Sequence, residues 1–390
     1  MTNIARGWLI HDLTGSAFMV TTVNAMGMIP VLGFSIFGGV IADRMDRRLV
    51  IIASDAFNLL VLLFLTILII TDIVQVWHVF ALSLFHGVGF SLGMPARTAT
   101  VSNLLDQDDA ASGVALFSTI FSAGQLVGPA LAGYLINVYG MGAAFITACS
   151  TIAPALILLS ILRVSVPESN LGATPQVSAL RSVGQGLSYV RGRSVLVGLM
   201  LMGLAITVFA MPYQAILPVF AGDVLDVGPS GLGWLGAMGG AGAIAGSITV
   251  ASFSAPRQMK ALMIASGLGL GVFIALFALS TAYLLSLAFV LVAGYLFQIF
   301  ITGNYTLIQI IPPDYIRGRV LSLRMVVVGM GPVGMALLGA GAEELGPAAA
   351  TAAMGMTSLA LLLVIVWRIP SIRRVEMEVE EGMVERPEKS

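Results

Sequence analysis

Charge is what this sequence most lacks. Of its 390 residues only 10% are Asp, Glu, Lys or Arg, while 58% are hydrophobic. A soluble domain carries about 25% charged residues, so a soluble chain of this size is excluded and a polytopic all-α membrane protein remains. The formal net charge of −1 supplies no basic footprint for nucleic acid. Cysteine is nearly missing as well. Cys149 stands alone, which excludes an internal disulfide. With only His11, His78 and His86 beside it, no metal-ligand spacing appears. No nucleophile–base constellation appears either, so neither an enzyme nor a cofactor is expected. The first ten residues lack a basic start followed by an apolar core, and so lack the pattern of a cleavable signal.

What is present is apolar length. Runs of about 20 residues, enough to cross a bilayer, fall at 17–42, 49–70, 76–96, 112–136, 142–162, 195–219, 231–252, 259–280, 282–309, 320–341 and 347–367. This predicts eleven full spans. Arg6 apart, every basic residue of the chain falls on alternate joints. These are Arg44, Arg47 and Arg48; Arg97; Arg163, Arg181, Arg191 and Arg193; Arg257 and Lys260; Arg317, Arg319 and Arg324; and Arg368, Arg373, Arg374, Arg386 and Lys389. Basic joints stay in the cytoplasm. The opposite joints carry Asp12, Asp72, Asp223, Asp226, Glu343 and Glu344. Trp8, Trp77, Trp234 and Trp367 fall at span ends, as interfacial anchors do.

The only long polar stretch between spans, 163–194, divides the chain. It predicts an N-terminal bundle (1–162), a cytoplasmic linker (163–194) with an amphipathic helix over 180–191, a C-terminal bundle (195–367) and an acidic cytoplasmic tail (368–390). The halves echo each other weakly, with Gly128-Pro129 answered by Gly331-Pro332. Such repeats mark transporters built around a midplane site. Gly231-Leu232-Gly233-Trp234-Leu235-Gly236 matches Gly-x-Gly-x-x-Gly, but no strand precedes it and it opens a span, so dinucleotide binding is rejected.

The joint between the first two apolar runs is Gly39-Val40-Ile41-Ala42-Asp43-Arg44-Met45-Asp46-Arg47-Arg48. Gly-x-x-x-Asp-Arg-x-x-Arg-Arg between two spans resembles the signature loop of the major facilitator superfamily. Gly124-Gln125-Leu126-Val127-Gly128-Pro129-Ala130-Leu131-Ala132-Gly133 looks like the fifth-helix motif of drug/proton antiporters. Pro95-Ala96-Arg97, Asn304 to Gln309, Pro312 to Val320 and Gly331-Pro332 are similar to the branch that holds enterobactin exporters and macrolide-efflux-like proteins. The resemblance implies a two-bundle fold and alternating access. It implies a latch at the loop, built from Gly39, Asp43, Arg44, Arg47 and Arg48; Arg97, at the same depth on a neighbouring helix end, is expected to pair with Asp43. It also implies that Gly124, Gly128, Pro129 and Gly133 form a packing motif that limits leak. In two places the chain departs from the pattern: Asp46 replaces a second glycine, and Gln125 stands where the branch often has arginine.

Numbered against twelve helices, the run 17–42 is the second. Only a remnant of the first precedes it, with Ile4 to Ile10 read as helix and His11 to Ser16 as loop. Intramembrane polar groups are functional candidates. His86 and Asp55 are candidates for protons, Asp55 also for pairing with the basic joints. Asn24, Gln125, Tyr213, Gln214, Gln298, Asn304 and Gln309 are candidates for the cavity. The expected function is a monomeric secondary transporter in the bacterial inner membrane, exporting a small organic molecule against protons. The competing expectation is a truncated, non-transporting membrane remnant that serves only as an interaction partner.

Overall fold

The computed structural model describes residues 1–44, 46–103, 110–161, 179–253 and 256–370. All regular structure there is helical. In chain order come α1 (Thr2–Thr14), α2 (Ala17–Arg44), α3 (Arg47–Ile70), α4 (Val76–Asn103), α5 (Ala110–Tyr139), α6 (Met141–Ile161) and α7 (Ala179–Arg191). There follow α8 (Ser194–Val224), α9 (Gly228–Ala251), α10 (Pro256–Leu279), α11 (Tyr283–Ile310), α12 (Asp314–Val328), α13 (Gly331–Leu345) and α14 (Pro347–Arg368). Among the described residues nine helical stretches are long and apolar enough to cross a membrane, with Tyr315–Leu345, α12 and α13 together, counted as one. Two further expected spans, α2 and α5, are helices of 28 and 30 residues, but part of their side chains lies outside the described residues.

The surface is that of a membrane protein. On α3, Leu60, Phe64 and Ile67 are exposed while Ser54 and Asn58 are buried. That reverses the order of a soluble amphipathic helix, and it is stable only where the surroundings are as apolar as leucine. Trp77, Trp234 and Trp367 are exposed at helix ends, where an indole meets both lipid and water.

The chain divides into two compact units. One holds α1–α6 together with Ala215–Ala237; the other holds α7, the start of α8 up to Gln214, and the chain from Met238 onward. In the first unit α4 packs on α2 and α3, α3 also packs on α6, and α1 packs on α2, α4, α5 and α6. In the second, α10 packs on α11 and α14, and α7 lies along α12. Its core gathers Leu196, Leu199, Met202, Ile206, Phe300, Leu307 and Leu362.

Three local expectations are corrected. The segment His11 to Thr14 is helical, not loop: α1 runs to Thr14, and Gly15 ends it in the left-handed region at φ 62°. Nothing in His11-Asp12-Leu13-Thr14 breaks a helix, and the Thr14 hydroxyl donates back to the Ile10 carbonyl at 2.7 Å. The span read as 195–219 extends to Val224 and is interrupted. It passes through π turns at Ile206–Ala210 and Phe220–Val224 and a 3₁₀ turn at Met211–Gln214. Pro212 and Pro218 each remove an i→i−4 bond, which loosens the ladder between them. The span read as 320–341 is two helices, α12 and α13, parted at Gly329 and Met330. Pro332 cannot donate to residue 328, and it biases Gly331 away from the helical region.

Candidate functional site

The first unit buries a polar seam. Gly89 and Gly93 on α4 face Asn58 and Ser54 on α3. A Cβ on Gly89 would lie 2.3 Å from the Asn58 Oδ1, and one on Gly93 would lie 2.4 Å from the Ser54 Oγ. Two glycines four apart admit two polar side chains four apart, one ridge against another. One turn further along, Arg97 of α4 donates to the Asp55 carboxylate of α3 in an ion pair. The carboxylate is mostly buried, whereas the guanidinium is about one-third exposed. The Asn58 Oδ1 is buried without a hydrogen-bond partner.

At the basic end of this unit the side chains of Gly39, Asp43, Arg44 and Arg47 lie outside the described residues, as does Met45 altogether. Two of their neighbours are described. Asp46, at the position of the departure, is the N-cap of α3: its side chain accepts from the Arg48 backbone N–H at 2.9 Å. Aspartate and glycine both serve as N-caps, so the departure keeps the helix start. Arg48 reaches across to α6, donating to the carbonyls of Leu159 at 3.0 Å and Ser160 at 2.8 Å. These are among the last carbonyls of that helix, which have no partner inside it.

The fifth-helix motif meets the other glycine motif. A Cβ on Gly133 would lie 2.4 Å from the Pro229 carbonyl oxygen and 2.7 Å from the Gly233 Cα. One on Gly236 would lie 2.7 Å from the Pro129 Cβ, and one on Gly128 would lie 3.0 Å from the Met1 nitrogen. The sequence Gly-x-Gly-x-x-Gly is therefore a helix-packing surface for α5. Gly124 has nothing within 4 Å, and Gln125 beside it is exposed.

Three polar side chains gather in the first unit around α1. Arg6 is buried and donates to the Asn3 Oδ1 at 2.5 Å. His86 is half-buried on α4, a helix on which α1 packs. Asn24 of α2 approaches the backbone of α1 at Gly7 and donates to its own Val20 carbonyl at 2.9 Å. At the acidic end His11 Nε2 lies 2.9 Å from the Asp223 Oδ1, and Trp8 stacks on His11 with ring centroids 5.4 Å apart.

In the second unit, Asn304 is buried and donates to the Leu199 carbonyl at 2.9 Å. It shares a small cleft with Gly203, Thr207 and Arg324. That space, about 10 Å³, holds one water at most, so a substrate needs another conformation to enter it. Arg324 stands over the Tyr305 ring, 4.8 Å from its centroid, a cation–π contact. Tyr213 is buried in the interrupted part of α8. Gln298 donates to Thr302 at 2.9 Å, and Gln214 and Gln309 are exposed. The structure thus gathers Asn24, His86 and Arg6 near α1, and Asn304 with Arg324 elsewhere; Gln125, Gln214 and Gln309 join neither group. Arg324 was counted with a basic joint in the sequence. Its spacing of one residue more than five turns from Tyr305 crosses a helix break, and no pattern signalled the pairing.

Comparison with known proteins places this architecture. The profile of the family described as transmembrane secretion effector matches residues 1–388. The multidrug efflux pump Tap of Mycolicibacterium fortuitum is 25% identical over 386 residues, covering 97% of this chain and 93% of that protein. The enterobactin exporter EntS of Shigella boydii serotype 18 is 25% identical over 368 residues, covering 94% of this chain and 86% of that protein. Among solved structures, the xylose transporter XylE from E. coli in its inward-open conformation is similar in fold, with a TM-score of 0.66 at 14% identity, covering 94% of this chain and 95% of that one.

Proposed function

We propose that this chain, which belongs to the transmembrane secretion effector family of the major facilitator superfamily, exports a small organic molecule by alternating access. The observation that carries the reading is the family match along nearly the whole chain, together with relatives named for drug and siderophore export. Eleven spans and a first helix represented by α1 form two bundles, 1–162 and 195–367, joined by the 163–194 linker. The basic joints, the linker and the 368–390 tail face the cytoplasm, which puts the acidic joints outside. Protons returning down their gradient drive the exchange, and the protein works as a monomer in a bacterial inner membrane.

The basic end acts as a latch in this reading. Arg97 holds Asp55 in the present conformation. Asp43 sits at the end of α2, the helix that packs on α4, and offers Arg97 a second carboxylate. Exchange of one arginine between two carboxylates switches the inner face, and the carboxylate that is released takes up water or a proton. The test is transport in proteoliposomes with an imposed pH gradient and a panel of labelled drugs. Gradient-driven movement of at least one compound, abolished by a protonophore, is expected, and Asp43→Asn should reduce it at unchanged abundance. Absence of movement across the panel would overturn the reading.

A further inference from the structure

Arg6 is 8% exposed and faces no carboxylate among the described residues. Its one hydrogen bond goes to the Asn3 side chain, so most of its five donors are unspent. A buried guanidinium is costly unless paired, and inside a membrane such a charge marks a substrate or ion path. His86 is a second, independent observation. It is half-buried on α4, the helix against which α1 packs, and it makes no hydrogen bond among the described residues. The two residues also share a depth. Arg6 lies nine residues below the Gly15 cap of α1 and His86 ten below the start of α4 at Val76. At 1.5 Å per residue both are roughly 13–15 Å from the same end of the unit, near the middle of a bilayer. Two nitrogen donors at one depth, one of them permanently charged, with an amide from Asn3 beside them and no acid to answer them, make a receptor for negative charge.

We propose that Arg6, positioned by Asn3 and joined by His86, binds an acidic group of the transported molecule, a carboxylate or an equally compact oxyanion. This rests on the transporter reading and narrows it, since it assigns the substrate's charge class. A planar guanidinium matches such a group with two parallel N–H donors. The bound anion then supplies the counter-charge that the helices withhold.

The test uses the purified full chain and two probes, salicylate and salicylamide, which share ring and size but differ in charge at pH 7. Salicylate should raise the unfolding temperature saturably, and salicylamide should not. Arg6→Gln should weaken the salicylate response at least tenfold, Arg6→Lys less. His86→Asn, at a half-buried residue with no hydrogen bond among the described residues, is the second variant should Arg6→Gln fail to fold, and should weaken the response at least threefold. Equal stabilisation by both probes, no saturable response to salicylate, or an unchanged response in His86→Asn would overturn the proposal. Efflux of ethidium, a cation, from vesicles reads transport separately. Efflux of ethidium with no salicylate response rejects the anion site and keeps the transporter, whereas a salicylate response without efflux of any compound does the reverse.

Discussion

At the scale of single residues, the polar groups of the first unit differ in how they are answered. Asp55 has Arg97, and the pair lies where one partner is largely buried. Removing either partner leaves the other in a poor solvent, at a cost of about 1–3 kcal/mol. Asp55→Asn and Arg97→Gln should each lower thermal stability by that order. The double variant should lose less than the sum of the two, which a double-mutant cycle by thermal unfolding reads as coupling. Asn304 is answered by one backbone carbonyl, that of Leu199. Asn304→Leu should therefore cost only about 1 kcal/mol in unfolding measurements. Should Asn304 take part in transport, the rate will fall by more than that stability loss accounts for. The sequence marked Asp55, Asn304 and His86 by an elementary rule, polar within apolar. It assigned Arg97 to Asp43, whose side chain lies outside the described residues, whereas in the structure Arg97 pairs with Asp55; both carboxylates are near the basic end, and a linear pattern does not give the turn of α3 against α4.

At the scale of elements, glycine decides where helices touch. Gly133 and Gly124 belong to one motif and look alike in the sequence, yet their surroundings differ. A methyl group at Gly133 would meet the Pro229 carbonyl at 2.4 Å; at Gly124 it would meet nothing within 4 Å. Gly133→Ala should force α5 and α9 apart, destabilising the protein by about 1–3 kcal/mol. Gly124→Ala should be neutral or slightly stabilising, because alanine is the better helix former by about 1 kcal/mol. Paired melting curves of the two variants check this, and equal melting temperatures would contradict it. The helices themselves were legible from apolar length, although α4 runs seven residues past its expected end and α12 starts six residues before the expected 320. The breaks were less so: Pro30, Pro95, Pro129 and Pro154 stand inside continuous helices, whereas the stretch around Pro212 and Pro218 and the one before Pro332 are interrupted. Proline alone does not separate these cases.

At the scale of the whole molecule, the alternation of basic and acidic joints predicts an orientation that labelling can read. Cys149 is the only cysteine and is buried, so Cys149→Ala gives a thiol-free background at small cost. A cysteine at Asp12, exposed at the end of α1, should react with a membrane-impermeant maleimide in intact cells. One at Gln258, exposed near the start of α10, should react only after lysis. Reaction at Gln258 without lysis would invert the assigned orientation. The clip made by Arg48 carries a consequence in time. Its acceptors lie 111 and 112 residues later in the chain. At about 5–20 residues per second of synthesis, the arginine waits roughly 6–22 s before Leu159 and Ser160 exist. During that interval anionic headgroups of the cytoplasmic leaflet are its natural counter-ions. Nascent chains arrested short of residue 159 should therefore be cut by membrane proteases faster than chains arrested beyond α6.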